Sequence, residues 1–238
     1  MRKLLLAVCL LSAQTALAAD APRRRYPPLA GLIKSAAWRS RPLLEEEEYT
    51  GDVSYRDSEY LLKADRAVYQ RGKGVLTLTG NVDGTKFWKD ASLSHAWADK
   101  GVYKMDDDTS FLEPQAEGGR VRLFHSDPQR GKWTSLSKTA FFDGKTRLAR
   151  LEENVAITGE DASSQSDTAL YNYNTSAFNL YGSPVITGRH EDYDYAVRGD
   201  TAAASGFFTR FRADGNVKGW IKSRTGSLEN YGTARSRH

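Results

Sequence analysis

From Gly51 onward Val, Thr, Tyr, Phe and Leu gather in short runs separated by Gly, Asn and Asp, the pattern of many short strands joined by tight turns. Residues two apart on a strand share a face. On that basis Ala67 falls with Tyr69, Ala140 with Phe142 and Ala169 with Tyr171. On the strands that follow, Leu76 falls with Leu78, Ala149 with Leu151, Phe178 with Leu180 and Phe211 with Ala213. The alternate positions are Thr77 and Thr79, Arg150 and Glu152, Asn179 and Tyr181, and Arg210, Arg212 and Asp214. One dry face and one wet face is the mark of antiparallel sheets.

These strand pairs recur at a fixed spacing. From Ala67 to Gly80, Ala140 to Glu153, Ala169 to Gly182 and Ala202 to Gly215 the interval is thirteen positions each time. That length holds one strand of about five residues, a turn and a second strand of about five, so the unit is a β-hairpin. The first turns through 70–74 and the third through 172–176, where Gly and Asn supply left-handed backbone angles. Gly80-Asn81, Asn154, Gly182-Ser183-Pro184 and Gly215-Asn216 then bend the chain into strands opening at Val82, Val155, Val185 and Val217. Asp65, Asp167 and Asp200 recur at one repeat position, which points to a structural role at strand entry. A fixed internal period means a stacked architecture. The prediction is all-β, either a solenoid or an extended two-sheet sandwich. Between the first two copies, 91–131 reads as less regular strands with a turn at Asp106-Asp107-Asp108.

The ends differ from this body. Arg2 and Lys3, an apolar stretch from Leu4 to about Leu11 and Ala16-Leu17-Ala18 form a secretory leader over 1–18. It is short of the roughly 20 apolar residues that span a bilayer. Residues 19–50, with Pro22, Pro27, Pro28, Pro42 and the run Glu45 to Glu48, show no steady period. They are read as a linker with a short helix near 29–38. The body then runs over 51–230, before a basic tail at 231–238. Arg2 and Lys3 are the only charges in 1–18, so removing them takes the net charge from +4 to +2, too mild for nucleic-acid binding.

Catalytic constellations are missing from the pattern. No G-x-S-x-G occurs, and the one cysteine, Cys9, lies in the leader. His95, His125 and His190 are too scattered for metal-ligand spacing and read as ordinary surface residues. Gly144-Lys145-Thr146 resembles the end of a phosphate loop, but Thr139 stands where its opening glycine belongs. Asp106 to Asp108 and Glu191-Asp192-Tyr193-Asp194 match no spaced calcium loop and read as solvated turns. The expectation is a protein that is not an enzyme, with no cofactor and no metal.

Ala64-Asp65-Arg66-Ala67-Val68-Tyr69 followed by Leu76-Thr77-Leu78-Thr79-Gly80-Asn81-Val82 resembles the OstA-like lipopolysaccharide transport family, which includes LptA, LptC and the periplasmic part of LptD. The resemblance covers about 51–219. It implies a periplasmic, elongated, twisted antiparallel β-jellyroll whose open two-sheet groove shields acyl chains of lipopolysaccharide. It also implies edge-to-edge strand pairing with other β-jellyroll transport proteins and self-association. Carried over by motif, the groove would comprise Ala67, Tyr69, Leu76, Leu78, Ala140, Phe142, Leu151, Ala169, Tyr171, Phe178, Leu180 and Phe211. The chain departs from the pattern at Ala204, where an aromatic is expected, and at Thr109 to Pro114, which is closer to LptC than to LptA. The competing expectation is a structural or adhesive β-solenoid that binds protein or glycan, with Trp88, Trp97, Trp133 and Trp220 outside.

Overall fold

A computed structural model describes residues 29, 31–205 and 208–224. The leader, the first ten residues of the expected linker and the basic tail lie outside the described residues. Eighteen strands follow in order: β1 (Leu32–Lys34), β2 (Ala37–Arg41), β3 (Glu46–Arg56), β4 (Tyr60–Gln70), β5 (Val75–Phe87), β6 (Leu93–Lys104), β7 (Thr109–Glu113), β8 (Val121–Asp127) and β9 (Gly131–Ser137). The second half comprises β10 (Thr139–Asp143), β11 (Leu148–Thr158), β12 (Ala162–Asn172), β13 (Ala177–Tyr181), β14 (Val185–Arg189), β15 (Tyr193–Arg198), β16 (Thr201–Ser205), β17 (Arg210–Asp214) and β18 (Lys218–Ser223). Every pairing among them is antiparallel, and the described residues contain no α-helix.

The long strands each serve two layers. The first layer runs β2-β3-β4-β5-β6-β7-β10-β11-β12-β13-β16-β17, using only one half of β3, β4, β5, β6, β11 and β12. The other halves build the second layer, β1-β3-β4-β5-β6-β8-β9-β11-β12-β14-β15-β18. The predicted hairpins are the first layer, and what they bend into is the second.

The predicted turn openers are the corners between layers. Gly80-Asn81, Glu153-Asn154, Gly182-Ser183 and Gly215-Asn216 each place two successive residues at positive φ, and so does Gly51-Asp52, a corner that the repeat spacing did not point to. In β3, β5 and β11 the ladder register shifts there, as at a β-bulge, and a bulge re-aims the strand beyond it. The recurrent aspartates complete the corner. Asn81 Nδ2 donates to Asp65 Oδ2 at 3.0 Å and Asn216 Nδ2 to Asp200 Oδ2 at 2.9 Å. A Cβ on Gly80, Gly182 or Gly215 would lie 2.3, 2.2 or 2.3 Å from the matching aspartate oxygen.

Register explains the thirteen-residue period. Cross-strand neighbours on the inner face of the first layer run Tyr49, Ala67, Leu78, Gly101, Leu112, Ala140, Leu151, Ala169, Leu180, Ala202, Ala213. Beside it a second row runs Glu47, Tyr69, Leu76, Tyr103, Ser110, Phe142, Ala149, Tyr171, Phe178, Ala204, Phe211. From Tyr49 to Ala202 the first row alternates large with small, which lets the facing layer interdigitate. From β8 to β14 the two layers close into a packed core containing Val121, Leu123, Trp133, Leu151, Ile157, Tyr171, Phe178, Leu180 and Ile186. Trp133 meets Tyr171 and Phe178 edge-on at 5.0 and 5.2 Å between ring centroids, the geometry aromatic quadrupoles favour.

Two readings of the sequence are corrected. Among the described residues of 29–38 no helix forms, and the described part of the expected linker is mostly sheet, because β1, β2 and the first half of β3 pair there. The glutamate run suits a strand because its neighbours neutralise it in alternation. Arg41 bonds Glu46 at 2.6 Å and Glu48 at 3.2 Å, and Arg66 bonds Glu48 at 2.8 Å. On the other face Glu47 accepts from Tyr49 Oη at 2.6 Å and from Arg71. The second correction is His125, which is buried against Trp133, Tyr171 and Tyr173 rather than on the surface.

Candidate functional site

Where the layers do not close, they leave apolar space. Between β4, β5, β6 and β7 lies a cavity of about 420 Å³, walled by Leu76, Leu78, Val102, Tyr103 and Leu112 from the first layer and Tyr55, Leu62, Val82 and Ala96 from the second, with Leu29 and Met105 at its margin. A smaller chamber of about 150 Å³ adjoins it, sharing Tyr60, Leu62, Gly84, Ala96, Tyr103, Ser110 and Leu112 and adding Phe124, Phe142, Leu148 and Tyr173. Pockets that hold small ligands are mostly apolar and of a few hundred cubic ångströms or more. The space exists because the inner face thins here: Gly84 and Ala96 stand opposite each other on β5 and β6, and Gly101 separates Leu78 from Leu112.

The rim of this space is polar. Tyr55 Oη donates to Asp57 at 2.6 Å and Tyr103 Oη to Asp108 at 3.0 Å. Burial pushes both phenols well above the usual range, helped by the carboxylate each bonds, and burial lifts Tyr60 to about 12. Lys86 Nζ donates to Tyr60 Oη at 2.5 Å and sits 4.4 Å from the Trp88 ring centroid. Arg147 Cζ sits 4.7 Å from the same ring. Burial holds the Lys86 ammonium below its ordinary value.

All twelve residues nominated from sequence lie on the two inner rows of the first layer, yet they do not share one environment. Leu76 and Leu78 line the larger cavity and Phe142 the smaller. Ala67 lines a small pocket of about 20 Å³ beside the larger cavity, and Tyr69 packs into the same cluster. Ala140, Leu151, Ala169, Tyr171, Phe178 and Leu180 are sealed in the core at 0 or 1% exposure. Phe211 lines a third space of about 440 Å³ at the far end, with Tyr195, Phe208 and Ile221. The described structure therefore has one apolar region, made of the two adjoining chambers, and a mixed space near Phe211 that Arg130, Lys132, Glu160, Asp161 and Arg189 also line, with a packed partition between them. Leu62, Ala96 and Leu112 escaped the sequence reading. Leu62 and Ala96 belong to second-layer strand halves outside the thirteen-residue period. Leu112 lies in a first-layer segment too irregular to count as a copy. Among the described residues, no group of three or more His, Cys, Asp or Glu side chains is placed to hold a metal, and no helix is long and apolar enough to cross a membrane.

No family model matches this sequence, and no curated protein matches it. Among solved structures, the chain is similar to LptH of Pseudomonas aeruginosa, described as the LptA-homologous periplasmic component of the conserved lipopolysaccharide transport device. That likeness covers 68% of this chain and 87% of that one at 10% identity, with a TM-score of 0.30.

Proposed function

We propose that this chain is a non-enzymatic, periplasmic component of lipopolysaccharide transport that shelters lipid acyl chains between its two layers. The observation that supports this reading is the interlayer cavity of about 420 Å³ with its apolar walls. Each methylene moved from water into such a space gains about 0.8 kcal/mol, so a short length of acyl chain suffices for useful affinity. The motif resemblance at 64–82 supplies the lipid class.

Joining to neighbours belongs to the same proposal. Among the described residues, the pairings leave β2 and β17 at the ends of the first layer and β1 and β18 at the ends of the second. Unpaired strand edges are ready templates for strand addition. Trp38 on β2 and Trp220 and Ile221 on β18 stand 61, 55 and 51% exposed, apolar surface that an added strand would cover. The competing adhesive reading expects tryptophans clustered outside, whereas Trp133 is buried and Trp88 lines the smaller chamber.

A photo-crosslinking residue at Leu78 should yield lipopolysaccharide adducts in cells. The same residue at Leu136, which is exposed, should not. Equal labelling at both positions, or none at Leu78, contradicts the proposal.

A further inference from the structure

The rim of the smaller chamber holds two cations short of acceptors. Lys86 has one hydrogen bond, to Tyr60, and faces no carboxylate within 4.0 Å among the described residues. Arg147 reaches a carboxylate only at 3.9 Å, on Asp90, and its buried Nε has no hydrogen-bond partner among the described residues. Burial depresses the Lys86 pKa, the Asp108 and Glu59 carboxylates oppose that from a distance, and Arg147 is close enough to add to it. Asp108 and Asp143 line the same chamber, but each already accepts a hydrogen bond, from Tyr103 Oη and Thr146 N respectively.

Arg147 closes the β10–β11 hairpin at φ 57°, the left-handed position that Gly74 takes at φ 61° in the β4–β5 hairpin. Glu45, Asp108 and Ser176 close the β2–β3, β6–β7 and β12–β13 hairpins at the same position with φ 49°, 53° and 50°, so the angle belongs to the turn, which aims the Arg147 side chain without being specific to it. The chamber shares Tyr60, Leu62, Ala96, Tyr103 and Leu112 with the larger cavity.

We propose that Lys86 and Arg147 form a headgroup site for a phosphate carried by an acylated lipid, with the tail lying in the adjoining cavity. The inference rests on the acyl-binding reading above and adds the polar end of the ligand. Phosphate suits the pair because a guanidinium offers it a planar fork of donors and an ammonium a point charge.

The test is calorimetric titration of the folded chain with dodecyl phosphate, dodecanol and inorganic phosphate. Dodecyl phosphate should bind at least about tenfold more tightly than dodecanol, with the advantage shrinking as salt rises, and inorganic phosphate alone should bind weakly. Arg147→Gly, which relieves the left-handed angle, should keep or raise Tm while removing most of the advantage and leaving dodecanol affinity unchanged. Lys86→Gln should act likewise on the affinities. Equal binding of phosphate and alcohol, or an advantage that survives both substitutions, overturns the headgroup site while leaving the acyl-binding reading intact. Failure of both dodecyl compounds to bind overturns that reading too. Tight binding of inorganic phosphate by itself would make this a free-phosphate site and overturn the lipid assignment.

Discussion

Glu153 and Asn154 hold φ angles of 62° and 54° at a layer corner that four other copies open with glycine. An L-residue pays for left-handed backbone, and the exposed Lys138–Glu153 pair at 3.0 Å contributes little in return. Glu153→Gly should therefore stabilise the protein by about 1 kcal/mol, read as a rise in the denaturation midpoint. Gly80→Ala should do the reverse by about 1–3 kcal/mol, since its Cβ would press on Asp65. His125 carries the pH dependence. Burial lowers its pKa from 6.5 to about 4, so the folded state binds fewer protons than the unfolded state between those values. Stability should fall as pH drops from 6.5 towards 4, by on the order of 3 kcal/mol. The carboxylates held below their usual range, such as Asp57 and Asp90, release their contribution only at lower pH. His125→Gln should flatten the upper part of that profile, and an unchanged slope between pH 6.5 and 5 would contradict this assignment. The sequence showed the corner glycines and the recurrent aspartates plainly. It hid the burial of His125, because a single histidine on a strand says nothing about what the facing layer brings against it.

The hairpins of the first layer were legible because their inner rows combine a strict side-chain parity with a recurring spacing. The second-layer halves were not. Ser135, Ser137 and Ser164 point inward at 0 to 2% exposure, so their strands look wet by composition although their inner face is buried. Likewise β2 and the start of β3 were masked by arginines and glutamates that neutralise one another across the pair. The twelve groove nominations shared a layer face, but only the second layer decides which of them meet a cavity and which meet a core. At this scale the prediction concerns edges. If β18 accepts a strand from another copy, Ile221→Lys should lower the association seen by sedimentation, as a charged edge blocks addition. Unfolding should be little changed, because Ile221 is exposed. Association insensitive to this change would place the contact elsewhere.

At the scale of the whole molecule, the layers part between β4 and β7, close around Trp133, Tyr171 and Phe178, and leave a second space near Phe211. The elongated all-β form was readable from periodicity, whereas the partition depended on how large side chains from both layers meet. The central claim is that the first of these spaces holds hydrocarbon. It is tested most directly by titrating a polarity-sensitive acyl probe into the wild-type chain and into Ala96→Phe, which fills the cavity from the second layer. Saturable binding that lipopolysaccharide displaces, and that Ala96→Phe weakens at least tenfold without loss of folding, is the expected result. Binding that is unsaturable, or equal in a folded Ala96→Phe protein, would contradict it.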